Sequence, residues 1–65
     1  MAKAKGFNFV LWSDAAQTAE LTGDWHRAKE CWYRAAMECT DGDWRAYYNE
    51  REDAAGEKIK AAAAS

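Results

Sequence analysis

A chain of 65 residues with four Trp, three Tyr, two Phe, no proline and a formal charge of −2 makes one small domain, which buries only about 60% of the surface its unfolded chain exposes. The acidic balance has the wrong sign for a protein whose main work is neutralising phosphates, so direct DNA binding is not expected. No apolar run approaches the length of a membrane span, and no secretory leader pattern stands at the start, so the expected location is the cytoplasm.

Periodicity predicts a first helix from about Asn8 to Thr22, with Asn8 as N-cap and Phe9, Trp12, Ala15, Ala16 and Ala19 on one arc. Residues 1–6 are read as a flexible N-terminus. Gly23 is the expected left-handed residue just past the helix end. Asp24 then caps a second helix, about Trp25 to Cys39, with Trp25, Ala28, Cys31, Trp32, Ala35, Ala36 and Cys39 on one side. Charged residues at i, i+4 spacing, among them Glu30, Arg34 and Glu38, occupy the other side. A connection as short as Gly23-Asp24 makes the two helices an antiparallel hairpin. The alanines between large rings let the helices approach closely.

Thr40 to Asp43 reads as a turn with two capping carboxylates, Asp41 and Asp43. A third helix is expected from about Trp44 to at least Ile59, with Trp44, Tyr47, Tyr48, Ala54, Ala55 and Ile59 on one arc and Gly56 as a weak point. Residues 61–65, mostly alanine, are expected to fray. The fold class is therefore all-α: one domain over 1–65, an antiparallel hairpin plus a third helix. Trp12, Trp25, Trp32 and Trp44 are assigned to the core, with Tyr47 beside them. Its packing resembles that of tetratricopeptide repeats, because Gly23, Trp25, Ala28, Trp32 and Ala35 stand at the offsets of such a hairpin, although the repeat's closing proline is absent.

Chemistry-bearing patterns are few. His26 is the one histidine, with no nucleophile and orienting acid beside it, and it reads as a solvated surface side chain. Cys31 and Cys39, eight residues apart on one helix, are about 12 Å apart along the axis and cannot pair with each other. They read as reduced, semi-buried small residues. His26 with these cysteines lacks zinc-ligand spacing, the Asp-Gly-Asp turn lacks a calcium loop's ligands, and no phosphate cradle is present. No enzyme activity, metal or cofactor is expected.

Two features exceed a plain three-helix core. Arg51 sits at the centre of the third helix's aromatic arc, where an unpaired guanidinium is costly. Glu20, at the border of the first helix's packing arc, is its natural partner, and stacking on an aromatic ring with the charge in water is the alternative. Val10, Leu11, Leu21, Tyr33 and Met37 fall on outward sides, and Val10, Leu21, Tyr33 and Met37 are the expected partner-binding residues.

The chain also resembles the PerC/ANR family of very small bacterial and phage transcriptional regulators over about Ala16 to Arg51. The likeness is carried by an alanine-and-glutamate segment (Ala16 to Glu20), by Gly23 and Trp25, by Ala28 and Trp32, and by Arg45, Tyr47 and Arg51. The family's usual following cysteine is Ala55 here. The resemblance implies a cytoplasmic regulator that acts mainly by contacting another protein, a transcription activator of the AraC type in ANR-like members. The expectation is therefore a small, homodimeric protein-interaction module that regulates transcription through a partner. The alternative is a phage-encoded inhibitor that blocks a host enzyme or defence complex by surface occlusion.

Overall fold

The computed structural model describes residues 5–64, with side chains described from residue 10 onward. It is all-α: helices α1 (Lys5–Thr22), α2 (Trp25–Glu38) and α3 (Gly42–Ala64), with no strand among the described residues. The Cα atoms span 46 × 21 × 12 Å, an elongated and thin body.

Each joint follows from local chemistry. Gly23 adopts φ +80°, its N–H bonding to the Glu20 carbonyl at 3.1 Å while the Asp24 N–H reaches the Ala19 carbonyl at 2.9 Å. This pair of bonds closes α1 in a Schellman turn that only glycine adopts without strain. Asp24 then caps α2, its Oδ1 accepting from the Arg27 N–H at 3.2 Å. The hairpin thus needs only two linking residues.

Three boundaries differ from the sequence reading. α1 begins at Lys5, so Asn8 lies inside the helix and caps nothing. No proline stands among Lys5, Gly6 and Phe7, so the helix propagates past the one good capping residue. Lys5 and Gly6, assigned above to a flexible terminus, are its first helical residues, while the Phe9 side chain lies outside those described. α3 starts at Gly42, two residues early, because Asp41 supplies the cap: its Oδ1 accepts from the N–H groups of Asp43 at 2.9 Å and Trp44 at 3.2 Å. Asp43 sits in the first turn, where a carboxylate faces the positive end of the helix dipole. At the far end α3 runs through Gly56 and the alanines to Ala64.

α2 is the centre of the packing. Ala28, Cys31, Trp32, Ala35 and Ala36 are buried along it, and both α1 and α3 pack against it. Ala16 and Ala19 of α1, Cys39 after α2, and Tyr48 and Ala55 of α3 complete the core, with Trp12, Ala15 and Trp25 partly buried on its margin. Small side chains dominate this list, so the helices pack closely and one fully buried tryptophan, Trp32, fills the centre. Cys31 and Cys39 are free thiols, both buried, and burial pushes the Cys31 thiol up in pKa.

Two of the aromatic residues assigned to the core are not in it. Trp44 is 52% exposed and Tyr47 42% exposed, and Ala54, expected on the same arc, is exposed as well. The helical wheel gave their direction correctly. It could not show that α1 and α3, both packed on α2, leave the stretch between them open.

Candidate functional site

The open stretch is a cleft of about 470 Å3 lined by Gln17, Glu20 and Leu21 of α1, Trp25 of α2, and Tyr47 and Arg51 of α3. Trp25 lines it from α2, and fully buried Trp32 lies under its Glu20 and Arg51 side chains. Trp32 stacks on Tyr48, with ring centroids 5.7 Å apart and planes at 25°, and meets Tyr47 edge-on at 6.2 Å. Trp44 extends the cluster outward, edge-on to Tyr47 at 5.7 Å. These four rings grade from fully buried Trp32 to half-exposed Trp44. Such geometries add about 0.5–1.5 kcal/mol per pair beyond burial.

Glu20 organises the floor. Its Oε1 accepts from Arg51 Nη2 at 2.6 Å and its Oε2 from the Trp32 indole N–H at 2.8 Å. The Arg51 guanidinium lies over the Trp32 ring, 5.2 Å from its centroid. The ion pair and the aromatic stacking, set out above as alternatives for Arg51, occur together in this geometry. One carboxylate ties all three helices, and its second bond is one that sequence reasoning missed. A signal was present: an indole at the middle of a packing arc needs an acceptor for its N–H, and Glu20 is the carboxylate bordering that arc. Arg51 Nε is buried without a hydrogen-bond partner.

Ser13 of α1 and Tyr48 of α3 are close enough to influence each other. Burial raises the Tyr48 phenol above its ordinary pKa, and Ser13 opposes this in part. Ser13 is buried, and its hydroxyl donates to the Val10 carbonyl at 3.0 Å. Lys58 Nζ stands over the Trp25 ring, 5.4 Å from its centroid.

The expected partner-binding residues divide between two sides. Leu21 is 89% exposed and lines the cleft; Val10, also exposed, continues the α1 stripe that holds Gln17 and Leu21. Tyr33 and Met37 lie instead on the α2/α3 groove, about 320 Å3, with Ala36, Arg45 and Asn49. The four are therefore not one surface: Leu21 lines the cleft with Tyr47, which had been assigned to the core, while Tyr33 and Met37 lie in the α2/α3 groove. Leu11 lies apart from both, beside Trp12, Ala15 and Glu38.

His26, exposed, borders a groove with Arg27, Glu30 and Arg34, in which Arg34 pairs with Glu30 at 3.2 Å and covers the Trp12 ring at 5.4 Å. Among the described residues no group of three His, Cys, Asp or Glu side chains is placed to hold a metal ion, and no helix is long and apolar enough to cross a membrane. No family model matches the chain, and no curated protein or solved structure is significantly similar to it.

Proposed function

We propose that this chain is a cytoplasmic, non-enzymatic protein-interaction module that regulates transcription by docking on a partner protein, such as a transcription activator. The observation that carries the docking is the half-exposed aromatic face of the cleft. Trp44, Tyr47 and Leu21 stay in water although the fold holds Trp44 and Tyr47 against the core rings. Tryptophan and tyrosine on rigid helices are the side chains that dominate protein interfaces, since they bury much area at little entropic cost. The transcriptional role rests on the residue pattern that resembles PerC/ANR regulators. Self-association belongs to the same proposal, because the exposed apolar residues occupy the α2/α3 groove as well as the cleft and leave room for a second copy.

The test is affinity capture from bacterial lysate with the wild-type chain and with Trp44→Ala. Recovery of a transcription regulator by the first and not the second supports the proposal. Recovery of a nuclease or other defence protein instead replaces it with the inhibitor reading. A salt-sensitive mobility shift of DNA by the purified chain alone overturns it. Sedimentation velocity measures self-association, for which a single monomeric species at 100 µM would be the adverse result.

A further inference from the structure

We infer that the outer face shared by α2 and α3 pairs with a second copy of this chain about a two-fold axis through Tyr33, each α2 running antiparallel to its counterpart. This inference rests on the self-association named in the proposed function and adds the surface that makes it and its register. Two shallow grooves meet at Tyr33 and differ in charge. Toward the end of α2, Tyr33 lines a groove with Ala36, Met37, Arg45 and Asn49. Toward its start, the same side chain lines a groove with His26, Lys29, Glu30 and Glu52.

The first groove is basic. Arg45 is exposed; its Nη2 donates to the Cys39 carbonyl at 3.0 Å, and no carboxylate pairs with it among the described residues. The second groove is acidic, because Glu30 and Glu52 outnumber Lys29 there. Each of these carboxylates uses only its Oε2, Glu30 toward Arg34 and Glu52 toward Lys29. An isologous contact lays each half of a face on the other half of its twin. A face with one basic and one acidic half about a common midpoint is therefore complementary to itself, whereas a face of one sign would repel its copy. Leu21 and Tyr47 line neither groove, so this pairing leaves the cleft to the partner protein.

The register follows from helix geometry. With Tyr33 opposite Tyr33, residues equally far before and after it face each other across the axis, so Ala36 meets Glu30 of the second copy and Met37 meets its Lys29. Ala36 is short and buried, which leaves room for the exposed Glu30 to reach Arg45 in the same groove. Met37 rests on the aliphatic stem of Lys29, while the ammonium stays with Glu52. Tyr33 and Met37, 48% and 63% exposed, supply the apolar area. Such a contact is at the small end of interface sizes, so the dimer should depend on concentration. The charges set its register more than its strength.

The experiment is sedimentation velocity on the purified chain and on variants of both halves of the face, with circular dichroism to show that each variant folds. Wild type is expected to dimerise. Glu30→Arg and Arg45→Glu each set like charges across the axis and should raise the dissociation constant at least tenfold. Mixing these two variants should restore a dimer, because each offers the charge that the other lacks. Met37→Asp should weaken the dimer as strongly while leaving the Arg45 bond to Cys39 intact, and it decides the case if Arg45→Glu unfolds. Leu21→Asp, in the cleft, should change nothing.

A monomeric wild type, a dimer that survives Glu30→Arg and Met37→Asp, or a mixture of folded charge variants that stays monomeric would each overturn the inference. So would a dimer that Leu21→Asp dissociates, which would seat the second copy in the cleft and leave self-association standing. A regulator captured by a chain that sediments as a monomer would sink this pairing and keep the docking reading. A dimer that obeys the charge exchange while no regulator is captured would do the reverse.

Discussion

The 14 residues of α2 place five side chains in the core, whereas the 23 of α3 place only two, Tyr48 and Ala55. The two helices carry similar aromatic residues and use them oppositely. Trp32 of α2 is sealed on all sides, and Trp44 of α3 is half in water. α2 is covered by a neighbour on each flank, so its central ring, Trp32, is fully buried, and only Trp25 at its first residue stays partly open. α3 has one flank on α2 and its other flank beside the cleft. A domain this small has enough covering surface for one helix, and what the next helix carries on its open flank is available for contact with something else.

Replacing the two tryptophans gives the widest contrast. Trp32→Ala should cost about 3–5 kcal/mol and abolish a cooperative thermal transition, while Trp44→Ala should cost under about 1 kcal/mol, as for a largely solvated side chain. Equal losses in urea denaturation would erase the distinction between the two helices. Glu20→Ala comes next, at about 2 kcal/mol, because it leaves the Trp32 N–H and the Arg51 charge without their acceptor; Glu20→Gln keeps an acceptor for the indole and should cost about half as much. A zero difference between the two variants would mean that the neutral acceptor adds little and the charge carries the effect, whereas a Glu20→Gln variant as stable as wild type would mean that the ion pair, whose arginine is partly solvated, adds little.

Asp41→Ala should cost about 1 kcal/mol by removing the cap of α3, seen as a lower urea midpoint at unchanged slope. Gly56→Ala should act in the other direction, raising stability by about 0.5 kcal/mol. A Cβ there would meet the Lys29 side chain at 3.3 Å, and a flexible stem can shift, although Lys29 also pairs with Glu52 at 3.1 Å. Loss of stability in this variant would show that the Lys29–Glu52 bridge holds α3 more firmly than helix propensity does.

The smallest effect concerns alkaline pH. Burial holds Cys31 above its ordinary pKa of 9.0 and Tyr48 above 10.0, so the unfolded chain loses these protons first. Stability from both groups is intact below about pH 9 and declines as pH rises through the folded values. Urea midpoints at pH 7 and pH 10 measure the decline, which Cys31→Ala should reduce.

Much of the helix arrangement is legible in the sequence. Gly23 and Asp24 announce the hairpin because one supplies a backbone conformation and the other a cap, and each works locally. The inner face of α2 is legible because its alanines and rings repeat at helical spacing. Asn8 misled because a capping residue marks a helix start only where something stops the helix before it, and no proline precedes it here. Trp44 and Tyr47 misled for another reason: periodicity says which way a side chain points, and burial depends on whether another element stands opposite. The cleft was half legible. The cost of a buried charge matches Glu20 to Arg51, but the pattern of charges says nothing of the indole N–H that shares the carboxylate, and outward direction alone does not separate Leu21, beside Tyr47, from Tyr33 and Met37.

At 1.5 Å per residue α3 is about 34 Å long and α2 about 21 Å, so the last turns of α3, exposed from Lys60 to Ala64, extend past the helix that supports the rest. Amide protons along this one helix should therefore trade with deuterium at graded rates, slowest near Tyr48, where opening requires the core to come apart, and fastest toward Ala64, where a single turn can unwind alone. A partner seated along α3 would move the boundary between those regimes toward the C-terminus, so the position of that boundary would show whether this helix is covered.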